Sequence, residues 1–181
     1  MAQTITLSGS VGSGKSTVAK MLAKKLGWEY YSTGMAQRKI AEEMGITTLE
    51  LNRLTIQDKS IDERIDAVFK NPPWEGKNCV VDSRLAFHFV PKSFKVCLVV
   101  KDEVAGARIF ADTNRSGEKA YATVEEATLA AVKRHALELE HFMKNYQLDI
   151  DDKSNFDLII DTTHLTPEQV CQAILATLKS V

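Results

Sequence analysis

Residues 9–16 read Gly-Ser-Val-Gly-Ser-Gly-Lys-Ser, the spacing G-x-x-x-x-G-K-[ST] with every fixed position filled. No other segment restricts the fold as strongly. Its glycines allow a backbone curl in which successive amides point at one anion. The residues before it, Gln3-Thr4-Ile5-Thr6-Leu7, have the composition of a short strand. After it, Val18, Met21, Leu22 and Leu26 recur at helical spacing, and Gly27 supplies a helix stop. A strand, a glycine-rich loop and a helix start in this order set an anion against a helix N-terminus, where the partial charge is positive. The segment therefore predicts a phosphate cradle built from Gly9, Ser10, Val11, Gly12, Ser13, Gly14, Lys15, Ser16 and Thr17. Lys15 is expected at the β- and γ-phosphates of a nucleotide, and the Ser16 hydroxyl on Mg²⁺.

The remainder of the chain alternates strands with helices. Glu29-Tyr30-Tyr31 reads as a second strand, followed by helices over about 34–44, from Thr47, and from Ser60. Thr47 with Glu50, and Ser60 with Glu63, have the spacing of capping boxes. Asn71-Pro72-Pro73 ends the third helix. Segments 78–82, 95–100 and 156–161 are nearly continuous in apolar residues, as strands buried on both faces are. Segment 103–112 reads as helix and 113–117 as polar loop. A long helix over 123–146 opens with Thr123 and Glu126, and a last one starts at Thr166-Pro167 and runs to Lys179. The expectation is an α/β fold of three α/β/α layers around a parallel sheet of about five strands. At about 150 residues per domain, 181 residues make one domain. Within it, about 33–71 reads as a helical insert and about 113–134 as a short lid.

Composition removes several classes. Lys and Arg number 23 against 24 Asp and Glu, for a net charge of -1, which argues against a nucleic-acid partner but allows a local basic pocket. The densest apolar run, 96–100, is far short of the ~20 residues of a membrane-spanning helix, and the first residues carry no basic leader. Cys79, Cys97 and Cys171 are odd in number, widely spaced and without a C-x-x-C pair, so neither disulfides nor a zinc site is expected. The expected protein is cytoplasmic, a monomer or weak homo-oligomer.

A phosphate cradle does not choose the acceptor. The chain lacks the N-K-x-D guanine reader and is short for a motor, which points to a small kinase acting on a small molecule. Strand C-termini converge on the ligand crevice in such sheets. That places Asp82 and Arg84 there, with Arg38 one turn into the helix after Ser32-Thr33-Gly34. Arg38 and Arg84 read as acceptor cations or as surface charges. Asp82 reads as a group beside Mg²⁺ or as a structural hydrogen-bond acceptor. Arg115, in the polar loop, and Arg134, on the long helix, read as lid cations or as solvated charges. Lys133, Arg134, His135, Glu138, Glu140 and His141 read together as an exposed mixed-charge face, and the six-residue step from His135 to His141 does not suit a metal pair.

These features together resemble the nucleoside monophosphate kinases, and among them the short archaeal-type cytidylate kinases. The resemblance is carried by Gly9 to Ser16, by Ser32-Thr33-Gly34 with Arg38, by Ile61-Asp62-Glu63-Arg64-Ile65-Asp66, by Ser83-Arg84-Leu85-Ala86 and by segment 149–162. It implies ATP and Mg²⁺ as donor and cofactor and CMP or dCMP as acceptor. It also implies Gly34, Arg38 and Arg84 around the acceptor phosphate, Asp62 and Asp66 on the acceptor-binding helices, Arg115 and Arg134 in the lid, and Arg108 beside the donor adenine. Asp62 and Asp66, one turn apart, could share a cleft and accept from the exocyclic amine of cytosine; the bland reading is that they complete helix-start electrostatics. Two departures stand out: Ser83 where the family has glycine, and Glu140-His141 where it has a basic pair. They keep two alternatives open, a kinase of shikimate, gluconate or dephospho-coenzyme A, with Asp82 or Asp62 as base, and a regulatory nucleotide-binding module.

Overall fold

Five strands pair in parallel: β1 (Thr4–Gly9), β2 (Glu29–Ser32), β3 (Cys79–Asp82), β4 (Phe94–Val99) and β5 (Leu158–Asp161), in the order β2-β3-β1-β4-β5. The structure is a computed structural model that describes residues 2–112 and 121–178, except the side chains of 48, 49, 52, 56 and 57. Eight helices are described: α1 (Lys15–Leu26), α2 (Thr33–Glu43), α3 (Thr48–Gln57), α4 (Lys59–Lys70), α5 (Ala86–Phe89), α6 (Asp102–Ala111), α7 (Val124–Tyr146) and α8 (Pro167–Leu178). No described helix is long and apolar enough to cross a membrane.

Alternation along the strands decides which helix covers which face. Ile5, Leu7, Val80, Val96 and Leu98 lie in one cluster with Val18 and Leu22 of α1 and Val170 and Ile174 of α8. Cys79 and Val81, from the intervening positions, pack with Trp74 and Ala86 in a different cluster. Val11 of the glycine loop is buried with Ile109 of α6 and with Ala127 and Ala131 of α7, so the cradle has a packed support of its own. Helices α2 to α4 carry a separate cluster of Ile40, Ala41, Leu51, Ile61 and Ile65. Full burial of a leucine or isoleucine side chain contributes roughly 1.5–3 kcal/mol, so these clusters hold the loops at the sheet ends against a stiff base.

One expected helix start is corrected. Ser60 does not cap α4: the Asp58 side chain accepts from the Ser60 amide, and the helix begins at Lys59. Asp and Ser both cap well, and Asp58 comes first. The Thr47–Glu50 box is complete in both directions. Thr123 accepts from the Glu126 amide, while Glu126 turns back to the amide of Ala122. Thr166 and Gln169 cap each other.

Candidate active site

The register brings Leu7 beside Asp82 and Gly9 beside Leu98, so the glycine loop leaves the sheet between the ends of β3 and β4. Gly9 has φ 134°, and a Cβ there would lie 2.0 Å from the Leu98 carbonyl oxygen. At Gly12 a Cβ would meet Ala105 of α6 at 2.8 Å. Both positions therefore need glycine. Arg108 of α6 straps the loop: Nη1 donates to Gly12 O (3.4 Å) and Thr162 Oγ1 (3.1 Å), and Nη2 donates to Thr162 O (2.7 Å). The Thr162 hydroxyl is within 3.1 Å of Ser13 O. Ser13 Oγ is buried in the cradle with no hydrogen-bond partner among the described residues, an unmet polar atom of the kind that a bound phosphate would satisfy.

Lys15 projects from the first turn of α1 onto Asp82, with Nζ 3.0 Å from Oδ1. The Tyr30 hydroxyl donates to Oδ2 at 3.1 Å. Burial pushes Asp82 up, yet the Lys15 ammonium and hydrogen bonds from Ser16, Lys15 and Tyr30 hold it below the ordinary carboxylate range. Asp82 is 3% exposed, so it is an ion kept by its partners. Lys15, Ser16 and Asp82 are thus one connected group, and a hydroxyl next to a carboxylate suits a Mg²⁺ ligand set.

Arg84 leaves the end of β3 and pairs with Glu138 of α7, Nη2 to Oε2 at 3.0 Å. Arg134, one turn earlier on α7, bonds Glu138 Oε1 from Nε at 2.9 Å. Burial pushes Glu138 up, but Arg84 and Arg134 bring it below its ordinary value. Glu138 and His141 are therefore not part of an exposed face, which corrects the sequence expectation: their side chains are 19% and 10% exposed. Sequence reasoning missed Glu138, whose one local signal is the i,i+4 spacing to Arg134. Ser83 fits its place; it is buried, and its hydroxyl accepts the Leu85 amide. Arg38 is exposed, makes no ion pair among the described residues, and leans over Gly34, with Nη1 3.7 Å from where a Cβ would stand. Arg115 lies outside the described residues.

On α4, Asp62 Oδ2 lies 2.9 Å from His141 Nε2 and accepts from Asn145 Nδ2 at 3.1 Å. Asp66 accepts from the Tyr146 hydroxyl at 2.5 Å. Both aspartates therefore serve α7, not only the start of their own helix. Burial chiefly pushes Asp66 up to about 6. A carboxyl raised above its unfolded value of ~3.9 opposes folding once it ionises, so stability falls as pH rises through about 4 to 6. Asp66→Asn, which can still accept from Tyr146, is expected to gain about 1 kcal/mol at neutral pH and nothing near pH 4, after discount for partial exposure. Urea unfolding at both pH values reads this, and an equal change at both would sink it.

A phosphate loop on a five-stranded parallel sheet, with cations from β3 and a long helix beside it, defines a P-loop kinase fold. The shikimate kinase from Acinetobacter baumannii shares that fold: TM-score 0.61, 20% identity, covering 99% of this chain and 94% of that one. The chain belongs to the cytidylate kinase-like family, whose model matches residues 4–164. It is 34% identical to the cytidylate kinase of Sulfolobus acidocaldarius over 94% of this chain and 91% of that protein. It is 37% identical to an S-adenosylmethionine-dependent nucleotide dehydratase of Lacinutrix mariniflava over 94% of this chain, which spans only 35% of that longer protein.

Proposed function

We propose that the chain transfers the γ-phosphoryl group of ATP, with Mg²⁺, to CMP or dCMP, releasing ADP and the nucleoside diphosphate. One observation carries the reading. Two cation groups, Lys15 at the start of α1 and Arg84 after β3 with Arg134 of α7, are each held by a carboxylate that a phosphate could replace. Lys15 reaches the donor phosphates, and the amides of Gly12 to Ser16 wrap them. Ser16 and Asp82 would hold Mg²⁺, which when bound neutralises charge on the donor phosphates. Arg84 and Arg38 hold the acceptor phosphate, whose own oxygen is the nucleophile, so no general base is required. Arg134 joins the charge that develops between them. The chain's work is positioning and charge. Residues 33–71 act as the acceptor-binding insert and 113–134 as the lid. The relatives named cytidylate kinase favour the cytosine acceptor over the hydroxyl acceptor of a shikimate kinase.

An ATP-consumption screen across CMP, dCMP, UMP, AMP, GMP, shikimate, gluconate and dephospho-coenzyme A tests this directly. A preference for any acceptor but CMP or dCMP overturns it. Arg84→Ala is expected to raise the acceptor KM roughly 30-fold, about 2 kcal/mol, with little change for ATP. Glu138 keeps Arg134 in that variant, so the fold survives. Equal losses for both nucleotides in calorimetric titration would assign Arg84 to the donor side or to structure.

A further inference from the structure

We propose that His141 and Asn145 are positioning residues for base choice, holding Asp62 so that its remaining oxygen reads the exocyclic amine of cytosine. The inference rests on the cytidylate reading above. Both α7 groups meet the same atom, Asp62 Oδ2, at 2.9 and 3.1 Å, while Oδ1 makes no hydrogen bond among the described residues. His141 and Asn145 are one helical turn apart, so together they fix the rotation of the carboxylate about its last bond. The pair is largely removed from water, with Asp62 14% and His141 10% exposed. The His141 ring is itself held edge-on to Phe142 at 5.4 Å.

The neighbouring acids have other duties. Asp66 is taken by Tyr146, and burial favours its protonated form. Glu138, one turn earlier on α7, is taken by Arg84 and Arg134. Asp62 is thus the carboxylate of this seam with a fixed orientation and a free acceptor. An amine donor satisfies that acceptor, whereas uracil presents a carbonyl at the same place and leaves two acceptors facing each other. A carboxylate free to rotate would discriminate less, because part of the mismatch would relax.

The test compares kcat/KM for CMP and for UMP in the unaltered protein, Asp62→Asn, His141→Phe, Asn145→Leu, His141→Phe/Asn145→Leu, and His141→Gln. The double variant is expected to lower the CMP:UMP ratio by roughly 10-fold or more, with the KM for ATP unchanged. His141→Gln, which keeps a donor, should retain most of the ratio. Asp62→Asn should lower it as far, and adding it to the double variant should lower it no further. If the double variant does not fold, each single change should still lower the ratio in protein with unaltered circular dichroism. A ratio kept by the α7 variants but lost in Asp62→Asn overturns the clamp and leaves the cytidylate reading standing. A ratio unchanged by every variant overturns the clamp and the role of Asp62 together. An unaltered protein that does not prefer CMP to UMP overturns the cytidylate reading and this inference with it.

Discussion

Lys15→Ala is expected to lower turnover by at least roughly 100-fold, about 2.7 kcal/mol of transition-state stabilisation, and to weaken the fold as well. The first effect follows from removing the cation at the donor phosphates. The second follows from Asp82. A side chain reaching toward ligand would be dispensable for folding, but Lys15 is the ion-pair partner of a carboxylate that is 3% exposed. With Lys15 gone, the hydrogen bonds from Ser16 and Tyr30 are what still hold Asp82 down among the described residues, against burial that pushes it up. In the unaltered protein the depressed Asp82 contributes stability above the unfolded value of ~3.9, which is lost as pH falls through the folded value. In Lys15→Ala the folded value rises instead, so the deficit is largest near neutrality and shrinks on acidification. Asp82→Asn in the Lys15→Ala background should therefore recover thermal stability without recovering turnover. Near-normal turnover in folded Lys15→Ala protein would end the phosphate-loop assignment. A stability loss of equal size at about pH 5 and about pH 8 would end the ion-pair account.

The difference between what the residues announced and what they hid has a physical cause. The sheet was legible because buried parallel strands show as nearly continuous apolar runs, as residues 79–82 and 94–99 do. The edge strand 158–161 is as apolar in sequence, but its Ile159 and Asp161 are exposed, so the expected burial on both faces is corrected there. The cradle was legible because its required residues fall in one run of eight, where Gly9, Gly12 and Gly14 all take positive φ; the close approach of Gly9 to Leu98 adds a demand from far along the chain. The start of α4 was ambiguous because Asp58 and Ser60 are both good caps, and only backbone geometry chooses between them. The one-turn helix α5 is too short for periodicity to reveal. On α7 the ordinary pattern misleads. Leu129, Leu137 and Met143 are about half exposed, while Glu138 and His141 are turned inward. Apolar periodicity assigns the inside of a helix by assuming that its covered face meets a core. Here that face meets Arg84 and Asp62, which the sheet and α4 bring from far along the chain. Asp62 and Asn145 are 83 residues apart, so no local pattern relates them.

Glu138→Ala is expected to cost about 3 kcal/mol of folding stability, the low end for one broken partner of a buried ion pair. Arg84 is 16% exposed, and without Glu138 its guanidinium has no ion-pair partner among the described residues; its backbone carbonyl accepts from Ser8 Oγ. The same reasoning gives the rescue. A second change, Arg84→Ala, should recover much of the loss, because the cost lies in the stranded cation and not in the missing carboxylate. It also gives a ligand effect of unusual sign for a damaged protein. An acceptor phosphate supplies the anion that Glu138 no longer supplies, so CMP should raise the melting temperature of Glu138→Ala more than that of the unaltered protein. Turnover should fall nonetheless, since Arg84 and Arg134 lose the group that sets their spacing. The pH dependence is fixed by the depressed Glu138 carboxyl. Its contribution is present above the unfolded value of ~4.3 and is lost as pH falls through the folded one, so the gap between the two proteins narrows only on acidification below that unfolded value. Unaltered stability in Glu138→Ala, or a CMP-induced shift no larger than in the unaltered protein, would mean that solvent already screens the Arg84–Glu138–Arg134 group.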